Sequence, residues 1–195
     1  MAFLCSFATD AWEQRKLGEI TYIQKGIQLG KKELLPEGEY YVLNGGITPS
    51  GFTNSYNTEA NTISISEGGN SCGFVNLNTV RYWSGGHNYT LNKPQLELDY
   101  LFALLKKKES SIMALRVGSG LPNIQKTALS DVDLDAPSTS EQQKIGTFFK
   151  HLDMLITLHQ RKRFFCFNLI RIMNALLYLR PYFLILELCV DMFFA

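Results

Sequence analysis

The sequence predicts an α+β fold: a curled, mostly antiparallel β module with short helices, followed by a long amphipathic, coiled-coil-forming helix. Three observations carry that expectation. Between Glu39 and Asn92, short runs of β-forming residues alternate with Gly- and Asn-rich breaks. Leu98 to Lys108, LDYLFALLKKK, sets Leu98, Leu101, Phe102 and Leu105 on one helical side and ends in three lysines suited to a helix C-terminus. From Ser138 to Arg163, apolar residues recur at Ile145, Phe148, Phe149, Leu152, Leu155, Ile156 and Leu158. That spacing is close to a heptad and lays one continuous apolar stripe along the helix.

Taken in order, residues 1–9 form an unpatterned leader that is left unassigned. From Asp10, DAWEQRKLGEI places Trp12, Leu17 and Ile20 between charges, and Trp12 is expected to pack at the chain entrance. GIQLGKK, Gly26 to Lys32, is a glycine-punctuated basic loop. Its spacing is one short of GxxxxGK and no Ser or Thr follows, so it is not a phosphate-cradling P-loop. A solvated loop and a backbone-phosphate contact both stay open for it. Tyr40 to Leu43 reads as a strand closed by the turn Asn44-Gly45-Gly46, and Thr62 to Ser66 alternates as a half-buried strand should, broken by Gly68-Gly69-Asn70. Phe74-Val75 and Val80 to Trp83 are expected as strands joined by a tight Asn-rich turn. The turn Gly85 to Asn88 then leads into Tyr89 to Leu91. Val117 to Lys126, VGSGLPNIQK, reads as a flexible loop, and Leu129 to Asp135 as the last strand. Pro137 closes it, and Ser138 with Glu141 has the spacing of a capping box opening the long helix.

A chain of 195 residues, 46% hydrophobic, holds one domain plus an appendage. The formal charge of +1 neither favours nor excludes a nucleic-acid partner; only local clustering of charge could. Cys5, Cys72, Cys166 and Cys189 are far apart, which argues against a zinc site or disulfide framework and for a reducing cytoplasm. No basic region followed by a long apolar run marks a secretory signal. His87, His151 and His159 lack metal-ligand spacing, and Asp131 with Asp133 reads as a solvated pair. With no nucleophile elbow and no nucleotide fingerprint, a catalytic centre is not expected, which disfavours an autonomous nuclease.

The strand tips carry Asn44, Thr48, Ser50, Asn70, Ser71, Arg81, His87 and Asn88. Such side chains read base edges and grip phosphates, and most are equally favoured by turns for their own backbone bonding. Between Leu104 and Lys126, the basic residues Lys106, Lys107, Lys108, Arg116 and Lys126 are opposed only by Glu109, the most basic tract of the chain.

From about Asp10 to Lys162 the chain resembles the specificity (S) subunits of type I restriction–modification enzymes. DAWEQRKLGEI, YLFALLKKKESSIMALRVGSGLPNIQK and PSTSEQQKIGTFFKHLDMLITLHQRK carry the resemblance, and EQQKIGTFFKHLDMLITLHQRK looks like the family's spacer helix almost residue for residue. The resemblance implies a DNA target-recognition domain, residues 10–137, and a spacer and dimerisation helix, residues 138–170. In such a family each recognition domain reads one half of a split DNA sequence. The helices of two units pack antiparallel and dock modification (methyltransferase) subunits, which methylate adenine, and a restriction subunit joins through the complex. S-adenosylmethionine, ATP and Mg are then expected on those partner subunits, none on this chain. The apolar run from Phe164 to Leu179 is interrupted by Arg171 and falls short of the ~20 residues of a spanning helix, which disfavours a membrane partner and leaves a membrane anchor as the minor alternative. Family members carry two recognition domains in about twice this length, so a second copy of this chain is a further expected partner. After Arg163 the text departs from the family, and residues 171–195 read as an atypical hydrophobic tail from a shifted frame or truncated gene copy.

Within that implication, residue type assigns Lys25, Lys31, Lys32, Arg116 and Lys126 to DNA phosphates. It assigns Asn70, Ser71, Arg81, His87, Asn88 and Asn123 to base edges. Ile145, Phe148, Phe149, Leu152, Leu155 and Ile156 are assigned to the helix interface. A competing expectation is a fragment that keeps only the helix as a protein-interaction module and no longer recognises DNA.

Overall fold

The structure is a computed structural model, and it describes residues 12–118 and 120–161. The expected leader and the hydrophobic tail lie outside the described residues. Among the described residues, nine strands and four short helices precede the long one. In order they are β1 (Glu13–Lys16), α1 (Leu17–Ile20), β2 (Tyr22–Lys25), β3 (Tyr40–Leu43), β4 (Gly51–Thr53), β5 (Thr62–Ser66), β6 (Val75–Asn78), β7 (Trp83–Ser84) and β8 (Asn88–Asn92). Then come α2 (Leu98–Lys107), α3 (Glu109–Ala114), α4 (Lys126–Ser130) and β9 (Asp133–Ala136). The long helix, α5, is described over residues 139–161.

The strands form three sheets: a four-stranded antiparallel sheet in the order β2-β8-β5-β6, a three-stranded sheet β4-β3-β7, and a two-stranded β1-β9 pair. Only β3 with β7 runs parallel among the named strands, in the register Val42 to Trp83 and Leu43 to Ser84. The fold class is therefore as expected, mostly antiparallel without closing into a barrel. One face of the central sheet supplies Ile23, Ile63, Ile65, Val75 and Leu91 to the core. Leu17 and Ile20 of α1, Leu101, Leu104 and Leu105 of α2, Ile112 of α3, Leu129 of α4 and Leu134 of β9 cover that face.

Several local expectations change. Thr62–Ser66 is buried on both sides, because the three-stranded sheet covers its polar face. There Asn78 Nδ2 donates to Thr62 O and to Ser64 Oγ, both at 3.0 Å, while Tyr41 OH donates to Asn78 Oδ1 at 2.8 Å. Burial without partners would cost each such group about 1–3 kcal/mol, so this bonded layer replaces solvent. The expected Asn-rich turn is strand β6 instead, since Asn76 and Asn78 pair across to Ser64 and Thr62 of β5. Leu129 sits in the short helix α4 and not in the last strand; one helical turn brings it to the core, while β9 starts at Asp133. Trp12, expected to pack, is exposed.

The compact unit reaches Phe149, so the first turns of α5 belong to it, and a second unit begins at Lys150. Ser138 Oγ bonds Glu141 Oε2 at 3.2 Å, and Gln142 N donates to Ser138 O at 3.0 Å. Gln142 is buried, donating to Pro137 O and accepting from Glu97 N, each at 2.9 Å. One turn on, Gly146 lies so close to α2 that a Cβ there would stand 2.7 Å from Tyr100 N. Only a residue without a side chain permits that approach.

Candidate nucleic-acid interface

Four of the loops nominated from sequence meet around the turn after β5, whose first residue, Glu67, has no role assigned from sequence. Its backbone N donates to His87 O at 3.0 Å, joining the β7–β8 turn. Its carbonyl accepts from Ile124 N at 2.9 Å, joining the loop before α4. Gly69 N donates to Pro122 O at 3.1 Å, so the turn after β5 and the 117–123 loop are tied side by side. The β3–β4 connection joins through Gly45, whose carbonyl accepts from Ser71 Oγ at 2.6 Å and from Ser66 Oγ. Gly45 has φ +78°, and a Cβ there would meet His87 O at 2.5 Å, so the turn needs glycine both for its conformation and for its closeness.

The Glu67 side chain is the electrostatic centre of this cluster. Only 11% of it is exposed, and Oε1 accepts from Lys25 Nζ at 2.7 Å and from Tyr89 OH at 3.2 Å. Oε2 is buried and receives no hydrogen bond; the Nδ1 of His87 stands 4.0 Å away. Burial, with the Glu67 carboxylate beside it, pushes the Tyr89 phenol up to about 12, so it stays a neutral donor. Cys72 lies beneath, its thiol bonded to Glu67 O and pushed up by burial, with Arg116 opposing that rise and Glu67 adding to it.

The residues assigned to DNA from sequence do not all meet in one place. Lys25, Asn70, Ser71, His87, Arg116 and Asn123 stand on or beside the Glu67 cluster, and Lys126 opens α4 directly behind the loop, its Nζ 5.5 Å from the Tyr22 ring centroid. Asn70, His87, Arg116 and Lys126 are exposed there; Asn123 is half-buried and its backbone pairs with Val117 in both directions. Asn88 is turned inward at 1% exposure, donating to Ser84 Oγ, so its amide serves the turn. Arg81 belongs to a different group: it pairs with Glu59 at 2.9 Å and lies over the Tyr56 ring. Lys31 and Lys32 sit on an exposed turn and have no ion-pair or hydrogen-bond partner among the described residues. Lys106, in the basic tract, is paired with Glu109.

Along α5 the stripe divides. Ile145 is half-buried against the core of the β module, whereas Phe148, Phe149, Leu152, Leu155 and Ile156 are 40–63% exposed. Leu158 and Met154 extend the exposed apolar surface.

Sequence could have flagged Glu67 only weakly: it is a lone acid between an alternating strand and a Gly-Gly break, in loops otherwise rich in Asn, Ser and Gly. Among the described residues no group of three or more His, Cys, Asp or Glu side chains could hold a metal ion, and no helix is long and apolar enough to cross a membrane.

Known proteins resemble the chain in sequence and fold. The chain is 36% identical over 163 residues to a type I specificity subunit of Mycoplasma pneumoniae, covering 78% of this chain and 43% of that protein. It is 35% identical over 160 residues to one of Mycoplasma genitalium, covering 78% of this chain and 42% of that protein. The chain thus spans less than half the length of these relatives. The crystal structure of the S subunit of a type I restriction–modification system from M. genitalium superposes with a TM-score of 0.71 at 32% identity, over 75% of this chain and 40% of that one. The HsdS subunit of Thermoanaerobacter tengcongensis shares the fold, with a TM-score of 0.60 at 20% identity, over 77% of this chain and 39% of that one. Residues 9–163 match the family model of the type I restriction modification DNA specificity domain, and with these relatives that match makes the chain a member of that family.

Proposed function

We propose that this chain is the sequence-reading component of a type I restriction–modification complex, a non-catalytic subunit whose β module, residues 10–137, meets one half of a bipartite DNA target. The observation that supports this most is the meeting of four polar loops at the turn that carries Glu67, which sets Lys25, Arg116 and Lys126 around exposed Asn70 and His87. Cations placed around side chains with mixed donors and acceptors suit double-stranded DNA: the first fix register on phosphates, the second meet base edges. Lys31, Lys32 and Arg81 contribute only if the duplex extends beyond this cluster.

The exposed stripe of α5 supports the second half of the reading. Five large apolar side chains from Phe148 to Ile156 need a helical partner in water, on a modification subunit or on a second copy of the chain. Methylation and cleavage then reside with the modification and restriction subunits, which bring S-adenosylmethionine, ATP and Mg. Two copies joined through α5 would read a symmetric target.

Binding of purified chain to a random-sequence duplex pool, followed by selection and sequencing, tests the reader. Enrichment of a defined short sequence, with affinity falling steeply as salt rises, is expected. Retention of a modification subunit with no enrichment at any salt would leave instead a protein-interaction module, the reading that the exposed α5 stripe favours by itself.

A further inference from the structure

The unpaired Oε2 of Glu67 is the one carboxylate oxygen among the described residues that is buried and receives no hydrogen bond. An unmet buried acceptor is costly, more so when charged, and it draws any donor able to reach it. The ring nitrogen that faces it is Nδ1 of His87, 4.0 Å away, on a ring whose side chain is 65% exposed. The ring's backbone is fixed from two sides: His87 N donates to Asn44 Oδ1 at 3.3 Å, and His87 O accepts from Glu67 N at 3.0 Å. A small side-chain rotation therefore closes the gap while the loop stays in place.

We infer that Glu67 is a positioning residue for His87: when DNA docks, Oε2 accepts the Nδ1–H of the imidazole, Nε2 presents a second N–H to the duplex, and binding takes up one proton from solvent. This rests on the DNA-reading function proposed above. The charge arrangement explains why uptake accompanies binding. The groups facing the pair are Lys25 from β2, Tyr89 from β8, and Cys72 with Arg116 behind it; Asn44 is neutral. Glu67 already balances Lys25. A second cation on the same carboxylate is stabilised by further negative charge, and a DNA phosphate or a guanine O6/N7 edge supplies it. Both ring nitrogens of an imidazolium are donors, so His87 held this way contacts acceptors only.

The test is fluorescence anisotropy of the full chain with a labelled duplex selected from a random pool, at fixed salt across roughly pH 5.5–8.5, where histidine titrates. Wild type is expected to weaken as pH rises, approaching about tenfold per pH unit for one proton taken up. Glu67→Gln should flatten this slope, and His87→Gln should abolish it. Affinity that does not change with pH overturns the inference while leaving the DNA-reading proposal standing. So does a Glu67→Gln protein that binds more weakly at every pH but keeps the wild-type slope, because a merely structural Glu67 would behave that way. Should Glu67→Gln fail to fold, the exposed His87→Gln decides: an unchanged slope overturns the inference, a flat one supports it. Absence of duplex binding at every pH and salt removes the DNA-reading proposal and this inference together.

Discussion

Replacing Gly146 by alanine tests how the long helix leaves the β module. A Cβ at this position would lie 2.7 Å from Tyr100 N, 2.9 Å from Glu97 Oε2 and 3.1 Å from Asp99 C. Those atoms form the N-terminal cap of α2, where Tyr100 N donates to Glu97 Oε2 at 3.1 Å. The methyl group thus drives into a hydrogen bond and into backbone that cannot give way. Overpacking of this kind costs about 1–3 kcal/mol, and disruption of the cap adds about 0.5–2 kcal/mol. Against this, alanine is favoured over glycine inside a helix by up to about 1 kcal/mol. The net expectation is a loss of about 1–3 kcal/mol, measurable by urea denaturation and as a fall in Tm of roughly 2–4 °C per kcal/mol for a chain of this size. An increase in stability would mean that helix propensity alone acts at Gly146, and the close packing of α5 on the cap of α2 would be refuted. A second readout follows from function: if α5 sets the distance between two half-sites, Gly146→Ala should relax the spacing preference in a selection experiment before it abolishes binding.

Arg116→Ala and Lys126→Ala should each weaken DNA binding almost equally across sequences and lower the salt slope by about one, as loss of a phosphate contact does; an altered sequence preference with an unchanged slope would reassign them to base edges. Phe149→Glu or Leu152→Glu should abolish association through α5, read by light scattering and by co-purification with a modification subunit. Because both side chains are exposed, the melting of the β module should not move with them. Asn78→Ala removes the amide that bonds Tyr41, Ser64 and Thr62 between the sheets, and should destabilise by about 1–3 kcal/mol or more in chemical denaturation. Tyr89 and Tyr100 both have phenols raised to about 12, chiefly by burial. A phenol raised in the folded state favours folding below the unfolded value near 10, so stability should be lost as pH rises from about 10 toward 12. Tyr100→Phe should shrink that alkaline loss in a pH-denaturation series.

The two longer helices and several strands were legible because local pattern decides them, whereas the short helices α1, α3 and α4 were not. The apolar spacing of Leu98, Leu101 and Leu105 admits one helical side, and Tyr40–Leu43 and Tyr89–Leu91 are β-forming runs closed by glycine or asparagine turns. What failed was decided by tertiary partners. Thr62–Ser66 alternates as a half-buried strand would, yet a second sheet covers its polar side, and no feature inside those five residues announces that cover. Asn76 and Asn78 favour turns locally, and the cross-strand bonds of Asn78 overrode that preference. At the candidate interface, the loops carrying Asn70, His87 and Asn123 could be nominated by composition, but their meeting point could not. Glu67 acts through residues 20 to 57 positions away in the chain, so only the folded register reveals it. The inward turn of Asn88 is likewise a matter of strand register, since it stands opposite Ser66 in the β5–β8 pairing.

The tethering of several segments to one residue bears on how such a module can change what it reads. Glu67 holds the turn at His87 by its amide, the segment at Ile124 by its carbonyl and Lys25 by its carboxylate. Substitutions in separate loops therefore share a fulcrum, and their effects on target choice should be strongly epistatic. Transplanting a single loop from a relative should scramble selectivity more often than transfer it, whereas moving the whole set with its central acid should carry the preference across intact.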